Sequence, residues 1–185
     1  MSHPRLLDRA HSAVVMIDVQ EAYRGVTVGH ESVVRALGRL LRVSGLLQIP
    51  LLVTEQYPKG LGHTLKELVE LLPPGQAVIE KMSLSCCGEN DFAAALDALR
   101  RRQIVVCGLE MHACINQTVH DLLDQGYQVH LPRDAISSRF EGDVQMGWDK
   151  MIGSGAIPSS VEMIALEWLR TAAAPEFKAV QKLIK

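Results

Sequence analysis

Short apolar runs alternate with stretches of helical periodicity along most of the chain. The runs at residues 13–17, 51–54 and 104–107 are long enough for buried strands and too short for helices. Between the first two, residues 30–47 place apolar side chains at the spacing of one helix face. Strands that alternate with helices predict a single α/β domain over residues 1–185, built on a parallel sheet.

The most informative unit lies between residues 103 and 139. An apolar run ends at Gly108, a helical pattern begins near Cys114 and stops at Gly126, and a second apolar run covers residues 129–131. This order predicts a strand, a helix and a second, parallel strand. Ligands of such sheets bind where the carboxyl ends of strands meet the starts of helices. Cys114 is therefore predicted to lie at a binding edge.

Cys114 has two interpretations. Unpaired backbone N–H groups and the partial positive charge of a helix start favour the thiolate, which is the reactive form of cysteine. On that view Cys114 has a lowered pKa and is a nucleophile. The alternative is a small, buried and inert cysteine, which is the more common case for a cysteine considered alone. A functional role therefore needs partners elsewhere in the chain.

Two charged residues follow other predicted strands and are candidate partners. Asp18 comes directly after residues 13–17, and Lys81 closely follows the run at residues 77–79. Asp18 alone fits a cap as well as a functional acid, and Lys81 alone fits a solvated surface residue. In a parallel sheet, however, these strand ends share one edge with Cys114. There the carboxylate can serve as general base, and the ammonium can favour the thiolate.

Composition limits the classes of partner. The chain has 19 basic and 21 acidic residues, a formal net charge of −2, which gives no electrostatic reason to expect nucleic acid or an acidic membrane. No apolar run approaches the length of a membrane span, and no secretory signal is visible at the start of the chain. The four cysteines form neither a zinc-finger spacing nor an obvious disulfide pair, so we expect a cytoplasmic protein.

Four motifs resemble those of the isochorismatase-like cysteine hydrolases. They are Asp18-x-Gln20, Lys81-x-x-x-Ser85, Gly108-x-Glu110-x-x-x-Cys114 and Asp134-Ala135-x-x-Ser138-Arg139. The resemblance covers nearly the whole chain. It is closest to the isochorismatase domain-containing protein subgroup, through the loop at residues 54–62 and the tail at residues 175–185. Together the motifs are specific for the family and weak for the substrate.

The resemblance implies a fold and a mechanism. The fold is a three-layer sandwich with a six-stranded parallel sheet, expected in the order 3-2-1-4-5-6, and helices on both faces. The catalytic triad falls on Asp18, Lys81 and Cys114. A cis peptide bond falls between Leu109 and Glu110, and it would aim the N–H groups of Glu110 and Cys114 at the substrate oxygen. The implied activity is hydrolysis through a cysteine thioester.

Departures from the family narrow the chemistry. Family nicotinamidases bind a metal through an Asp and two or three His after the second strand, where this chain has Gln56, Pro58 and, nearby, only His63. We therefore expect no metal and no cofactor. Enzymes that hydrolyse isochorismate often lack the cysteine that is present here, which favours cleavage of a C–N bond in a small amide or imide. The predicted substrate-binding residues are Gln20, Tyr23, Gln56, Tyr57 and Cys87.

Two alternative functions remain open from the sequence. One is vinyl-ether hydrolysis by an isochorismatase, and the other is a non-catalytic, oligomeric binding module. A homo-oligomer is expected because residues 176–185 form an amphipathic helix after a complete α/β unit. The same apolar face can equally pack on its own subunit.

Overall fold

In a computed structural model, residues 3–185 are described and have an α/β fold. The strands are β1 (Ser12–Ile17), β2 (Leu51–Gln56), β3 (Val78–Lys81), β4 (Gln103–Leu109), β5 (Gln128–Pro132), β6 (Ile136–Ser137) and β7 (Ile157–Ser159). The α-helices are α1 (His30–Leu46), α2 (Pro58–Leu61), α3 (Lys66–Val69), α4 (Asn90–Leu99), α5 (Asn116–Asp124), α6 (Glu141–Gly153), α7 (Val161–Leu169) and α8 (Phe177–Ile184). Short 3-10 turns cover Glu21–Tyr23, Cys86–Gly88 and Arg133–Ala135, and a π-helical turn covers Met111–Ile115.

The sheet is parallel and runs in the order β3-β2-β1-β4-β5-β7. This confirms the three-layer α/β prediction and the expected path of six strands. The predicted strand count is one too low, because β6 pairs with the end of β4 through Gly108 and Leu109, beside that path. A strand of two residues has no periodicity from which the sequence could predict it. The last strand of the path is therefore the seventh in chain order.

The core is built on the central strands. All six residues of β1 are buried, as expected for a parallel strand covered by helices on both faces. The buried side of α1 adds Val33, Leu37 and Leu40 to this core. None of the helices in residues 3–185 is long and apolar enough to cross a membrane.

The tail helix answers one question that the sequence left open. Val180 and Ile184 of α8 are buried against the core of the same chain, and α8 packs on α1 and α7. The apolar face of the tail is therefore used within the subunit. It gives no separate argument for an oligomer.

The strand ends meet at one edge of the sheet. Asp18 follows β1, Gln56 ends β2, Lys81 ends β3 and Cys114 follows β4. Gly108 allows β4 to lie close to β1 there, since a Cβ at this position would come 2.1 Å from the Ile17 carbonyl oxygen at a φ of +117°.

Candidate active site

Asp18 is fixed in an unusual backbone conformation at the end of β1. Its φ is +52°, in the left-handed region that non-glycine residues rarely adopt. The side chain is buried, and its Oδ1 accepts a hydrogen bond of 2.7 Å from the Thr54 hydroxyl. Its Oδ2 lies 2.8 Å from Lys81 Nζ. The carboxylate is thus held against an ammonium group in a dry environment.

Lys81 is buried at the end of β3, and its three donors point to neutral oxygens. Nζ donates to Gln56 Oε1 at 2.6 Å, Ser83 O at 3.2 Å and Leu84 O at 3.1 Å. Nζ also lies 2.8 Å from Asp18 Oδ2, so the two side chains form a buried ion pair. Burial is the largest single influence and lowers the pKa of Lys81, but the contact with Asp18 and the charges of Cys114 and Cys86 together outweigh it, so the pKa lies above its ordinary value. Lys81 stays charged.

Cys114 lies in the π-helical turn that precedes α5, and not at the start of a regular helix as expected. Only 6% of it is exposed, and Sγ lies 3.9 Å from Gln56 Oε1. Burial raises the pKa of the thiol to about 12, with the charge of Asp18 acting in the same direction and Lys81 against it. The predicted lowering of this pKa is wrong, because burial and an anionic neighbour outweigh the helix start and the lysine. The resting group is a thiol, so a base must remove its proton.

Gln56 joins the lysine to the cysteine. Its Nε2 donates to Met82 O at 3.0 Å, which turns Oε1 toward Lys81 Nζ at 2.6 Å and Cys114 Sγ at 3.9 Å. The structure thus places Gln56, one of the predicted substrate-binding residues, inside the cluster of Asp18, Lys81 and Cys114.

Gln20, by contrast, contacts the backbone of neighbouring segments. It is fully buried, and its Nε2 donates to the carbonyl oxygens of Gln56 at 2.9 Å and Gly62 at 2.6 Å. Its Oε1 accepts from the Gln56 N–H at 2.8 Å. Both contacts of Nε2 and the contact of Oε1 are made within the chain, and the substrate-binding role of Gln20 stays a prediction. Gln20 holds the end of β2 in place.

Tyr23 and Glu110 lie together on the Cys114 side of the site. Burial raises the pKa of Tyr23 to about 12, and the charges of Glu110, Cys114 and Asp18 add to the rise. The Glu110 side chain is buried and accepts a hydrogen bond of 2.8 Å from Arg139 Nε. The peptide bond between Leu109 and Glu110 is cis, as the resemblance implied. The oxyanion role of the two N–H groups stays a prediction.

Tyr57 and Cys87 are the remaining predicted substrate-binding residues. Tyr57 is half exposed at a φ of +38° and lines a hollow of about 240 Å³ with Lys81 and Met82. The pKa of Cys87 is raised to about 11 by burial first and then by Asp121, and its N–H donates to Ser85 Oγ. Cys87 therefore faces the α5 side. Its neighbour Cys86 is the cysteine of this pair whose Sγ reaches Thr54, at 3.9 Å.

Two buried threonines were missed by sequence reasoning. Thr54 donates to Asp18 Oδ1 at 2.7 Å. Thr118 donates to Cys114 O at 2.7 Å and accepts from the Cys86 N–H at 2.9 Å. Each had a signal in the sequence, since Thr54 ends an otherwise apolar strand run and Thr118 follows Cys114 by one helical turn.

The region after β2 offers little to a metal ion. His63 Nδ1 lies 3.0 Å from Glu55 Oε2, and the other Glu55 oxygen is bonded by the N–H and hydroxyl of Thr64. Within residues 3–185, no group of three His, Cys, Asp or Glu side chains is placed to hold a metal. The absence of a metal requirement stays a prediction.

Comparisons with known proteins agree on one family. Residues 12–163 match the isochorismatase domain. Human isochorismatase domain-containing protein 2 is 39% identical over 175 residues, covering 94% of this chain and 83% of its own. The secreted isochorismatase effector Isc1 of Phytophthora sojae is 36% identical over 179 residues, covering 95% and 85%. The MAR1 ribonuclease of Caenorhabditis elegans superposes with a TM-score of 0.92 at 34% identity, over 97% of this chain and 92% of that one.

Proposed function

We propose that this chain, which belongs to the isochorismatase family, is a cysteine hydrolase that cleaves a C–N bond of a small amide or imide through a thioester on Cys114. One observation carries the proposal. Asp18, Lys81 and Cys114 form a single buried cluster, in which Lys81 Nζ lies 2.8 Å from Asp18 Oδ2 and 2.6 Å from the Gln56 oxygen that Cys114 Sγ approaches at 3.9 Å.

The proposed reaction uses each of the three groups. Asp18 takes the proton of the Cys114 thiol as Sγ attacks the substrate carbonyl carbon. The C–N bond then breaks, and the proton on Asp18 passes to the leaving nitrogen. Water attacks the thioester, Asp18 takes a proton from it, and the acid is released as the proton returns to sulfur. Lys81 Nζ, 2.8 Å from Asp18 Oδ2, supplies positive charge beside the groups that exchange the proton.

Two other functions of the fold make different demands on Cys114. Vinyl-ether hydrolysis by an isochorismatase needs no thiol. A non-catalytic binding module needs no base beside one. The placement of Cys114 favours the hydrolase, because a buried thiol beside a carboxylate and an ammonium has its proton acceptor already in place.

The nematode relative is described as a ribonuclease, which would demand access for a long, charged substrate. The exposed fractions here are 1% for Asp18, 2% for Lys81 and 6% for Cys114. An RNA phosphate cannot contact groups this deeply buried without opening the site. The burial favours a small, compact substrate.

The test is a screen of small amides and imides, with intact-mass detection of an adduct on Cys114. We expect adduct formation in the native protein and in Cys87→Ser, and none in Cys114→Ser.

Asp18→Asn should slow single-turnover acylation by roughly a hundredfold to ten-thousandfold. Lys81→Met combined with Asp18→Asn should cost far less than the product of the single losses, because the groups act as a unit. Independent, multiplicative losses would separate the three residues into unrelated sites.

We also propose a reducing compartment such as the cytoplasm. Cys86, Cys87, Cys107 and Cys114 are all free thiols, which suits a reducing environment. The Phytophthora relative is described as secreted, so cell fractionation of the native protein is the measurement that decides.

A further inference from the structure

Three arginines share the outer face of α1. Arg35, Arg39 and Arg42 follow one another by four and three residues, so their side chains project from the same side of the helix over about 10 Å. Together with Leu68, Leu71 and Lys185 they line a hollow of about 540 Å³, which we name the arginine groove. Its size is that of a small-ligand site.

The positive charge of the arginine groove is poorly compensated. Arg35 lies 3.5 Å from Glu31 in a pair that is largely exposed, and Arg39 lies 3.9 Å from Asp134. Within residues 3–185, no carboxylate comes within 4 Å of the Arg42 guanidinium. Exposed pairs of this kind contribute little stability, so these guanidinium groups remain available to an anion.

The one acidic side chain among the lining residues, Glu67, is already paired. Glu67 accepts hydrogen bonds from Arg24 on both oxygens, at 2.8 and 2.9 Å. Its negative charge is therefore neutralised by the bidentate pair with Arg24 and not by the arginines of the groove.

Positive charge continues beside the arginine groove. Arg42 also lines an adjoining hollow of about 810 Å³ with Lys178 and Lys182 of α8. In residues 3–185 neither lysine has a carboxylate within 4 Å. A chain with a net charge of −2 thus concentrates basic side chains on one side of α1.

We propose that the arginine groove binds a small molecule that carries a chain of two or three phosphates, of nucleotide size. Guanidinium groups recognise phosphate oxygens through paired N–H donors. A row of three guanidinium groups therefore matches a ligand with successive phosphates better than a ligand with a single carboxylate. Leu68 and Leu71 form an apolar wall on which the uncharged part of the ligand can rest. The lining contains no aromatic side chain, so base stacking of the kind used for single-stranded RNA is not provided.

The test is calorimetric titration of the whole chain with inorganic tripolyphosphate and with ATP. We expect saturable one-site binding that weakens as salt is raised. Arg35→Gln with Arg42→Gln should weaken binding by roughly a hundredfold, about tenfold for each charged hydrogen-bonding partner. The affinity of Arg35→Lys with Arg42→Lys should lie between those of the native protein and the glutamine variant, because lysine keeps the charge and loses the paired donors.

The matched control is Arg100→Gln with Arg101→Gln, which makes the same change in net charge after α4. It should leave the affinity for both probes unchanged, and thermal unfolding should show that every variant is folded. No saturable binding of either probe would overturn the proposal, as would an equal loss in the control. Binding of a twelve-nucleotide RNA without binding of tripolyphosphate would also overturn it, and would identify a nucleic-acid surface instead.

Discussion

At the scale of single residues, Thr118 connects the nucleophile to the loop that holds the lysine. Its hydroxyl bonds Cys114 O and the Cys86 N–H, and the loop before Cys86 supplies two of the carbonyls that bind Lys81. Thr118→Val keeps the shape of the side chain and removes both hydrogen bonds of the hydroxyl. We expect a stability loss of roughly 1–3 kcal/mol, because a buried N–H is left unpaired.

The same substitution should also slow acylation of Cys114 by roughly tenfold or more, since small displacements of a nucleophile are costly. Thr118→Ser restores the hydroxyl and should restore most of the rate. The measurement is single-turnover acylation alongside urea unfolding. A Thr118→Val protein that is destabilised but acylates at the native rate would limit Thr118 to packing.

His130 gives a second prediction at this scale, on stability against pH. It is buried in β5, and burial first, then the charge of Arg5, lowers its pKa to about 4 from an ordinary 6.5. The unfolded chain therefore binds a proton that the folded chain does not between these two values. Stability is complete above pH 6.5 and is lost as the pH falls toward 4, by about 2 kcal/mol at pH 5.

The variant that checks this is His130→Leu, which cannot titrate. The difference in unfolding free energy between native and variant proteins, measured at pH 7 and at pH 5, should change by about 2 kcal/mol in favour of the variant at pH 5. An unchanged difference would mean that His130 is not the titrating group.

Much of the site could be predicted at the residue scale. The structure brings Asp18, Lys81 and Cys114 together because each follows a buried parallel strand, and that placement is visible in the apolar runs. The direction of the Cys114 pKa was not predictable. It depends on how deeply the turn is buried and on the nearby Asp18 charge, and neither is a property of local sequence.

At the scale of elements, the long periodic segments were predicted and the irregular ones were not. The expected helix at residues 30–47 is α1, His30–Leu46. The sequence predicted a loop and then a helix that begins near Cys114, whereas residues Met111–Ile115 form a π-helical turn, because an extra residue in a turn leaves no mark on hydrophobic spacing. Such turns occur often at functional sites, and this one carries Cys114.

Helix α6 supports that turn from outside. A Cβ on Gly147 would come 3.2 Å from Met111 Cγ and 3.3 Å from the backbone of His112. Gly147→Ala should therefore push the turn and cost roughly 1–3 kcal/mol of stability, with slower acylation of Cys114. Gly142→Ala on the same helix has open space and should be neutral or stabilising by up to about 1 kcal/mol. The free energy of unfolding and the rate of Cys114 acylation should be measured for both variants. Equal values for the two would contradict the close contact between residue 147 and the π-helical turn.

At the scale of the whole molecule, the overall net charge gave no sign of a local cluster of basic side chains. Balanced composition argued against anionic partners, yet the fold gathers Arg35, Arg39 and Arg42 on one face of α1. The amphipathic pattern of the tail was likewise visible in the sequence, but the surface against which its apolar face packs was not. Only the packing of Val180 and Ile184 decides that its apolar face belongs to this subunit.

The expectation of a homo-oligomer therefore needs a different basis, and the exposed apolar side chains supply it. In the loop after β3, Met82 is 69% exposed and Leu84 48%. Phe140, just before α6, is 63% exposed, and Met146 within α6 is 70% exposed. Large exposed apolar groups near a candidate site indicate a surface that another protein covers. We predict that a second copy of this chain covers Phe140 and Met146. Light scattering at micromolar concentration should give a mass above one chain. Phe140→Glu with Met146→Glu should reduce it to one chain, whereas Met163→Glu on α7, a residue 50% exposed, should not. A native protein that is monomeric at micromolar concentration would contradict the prediction.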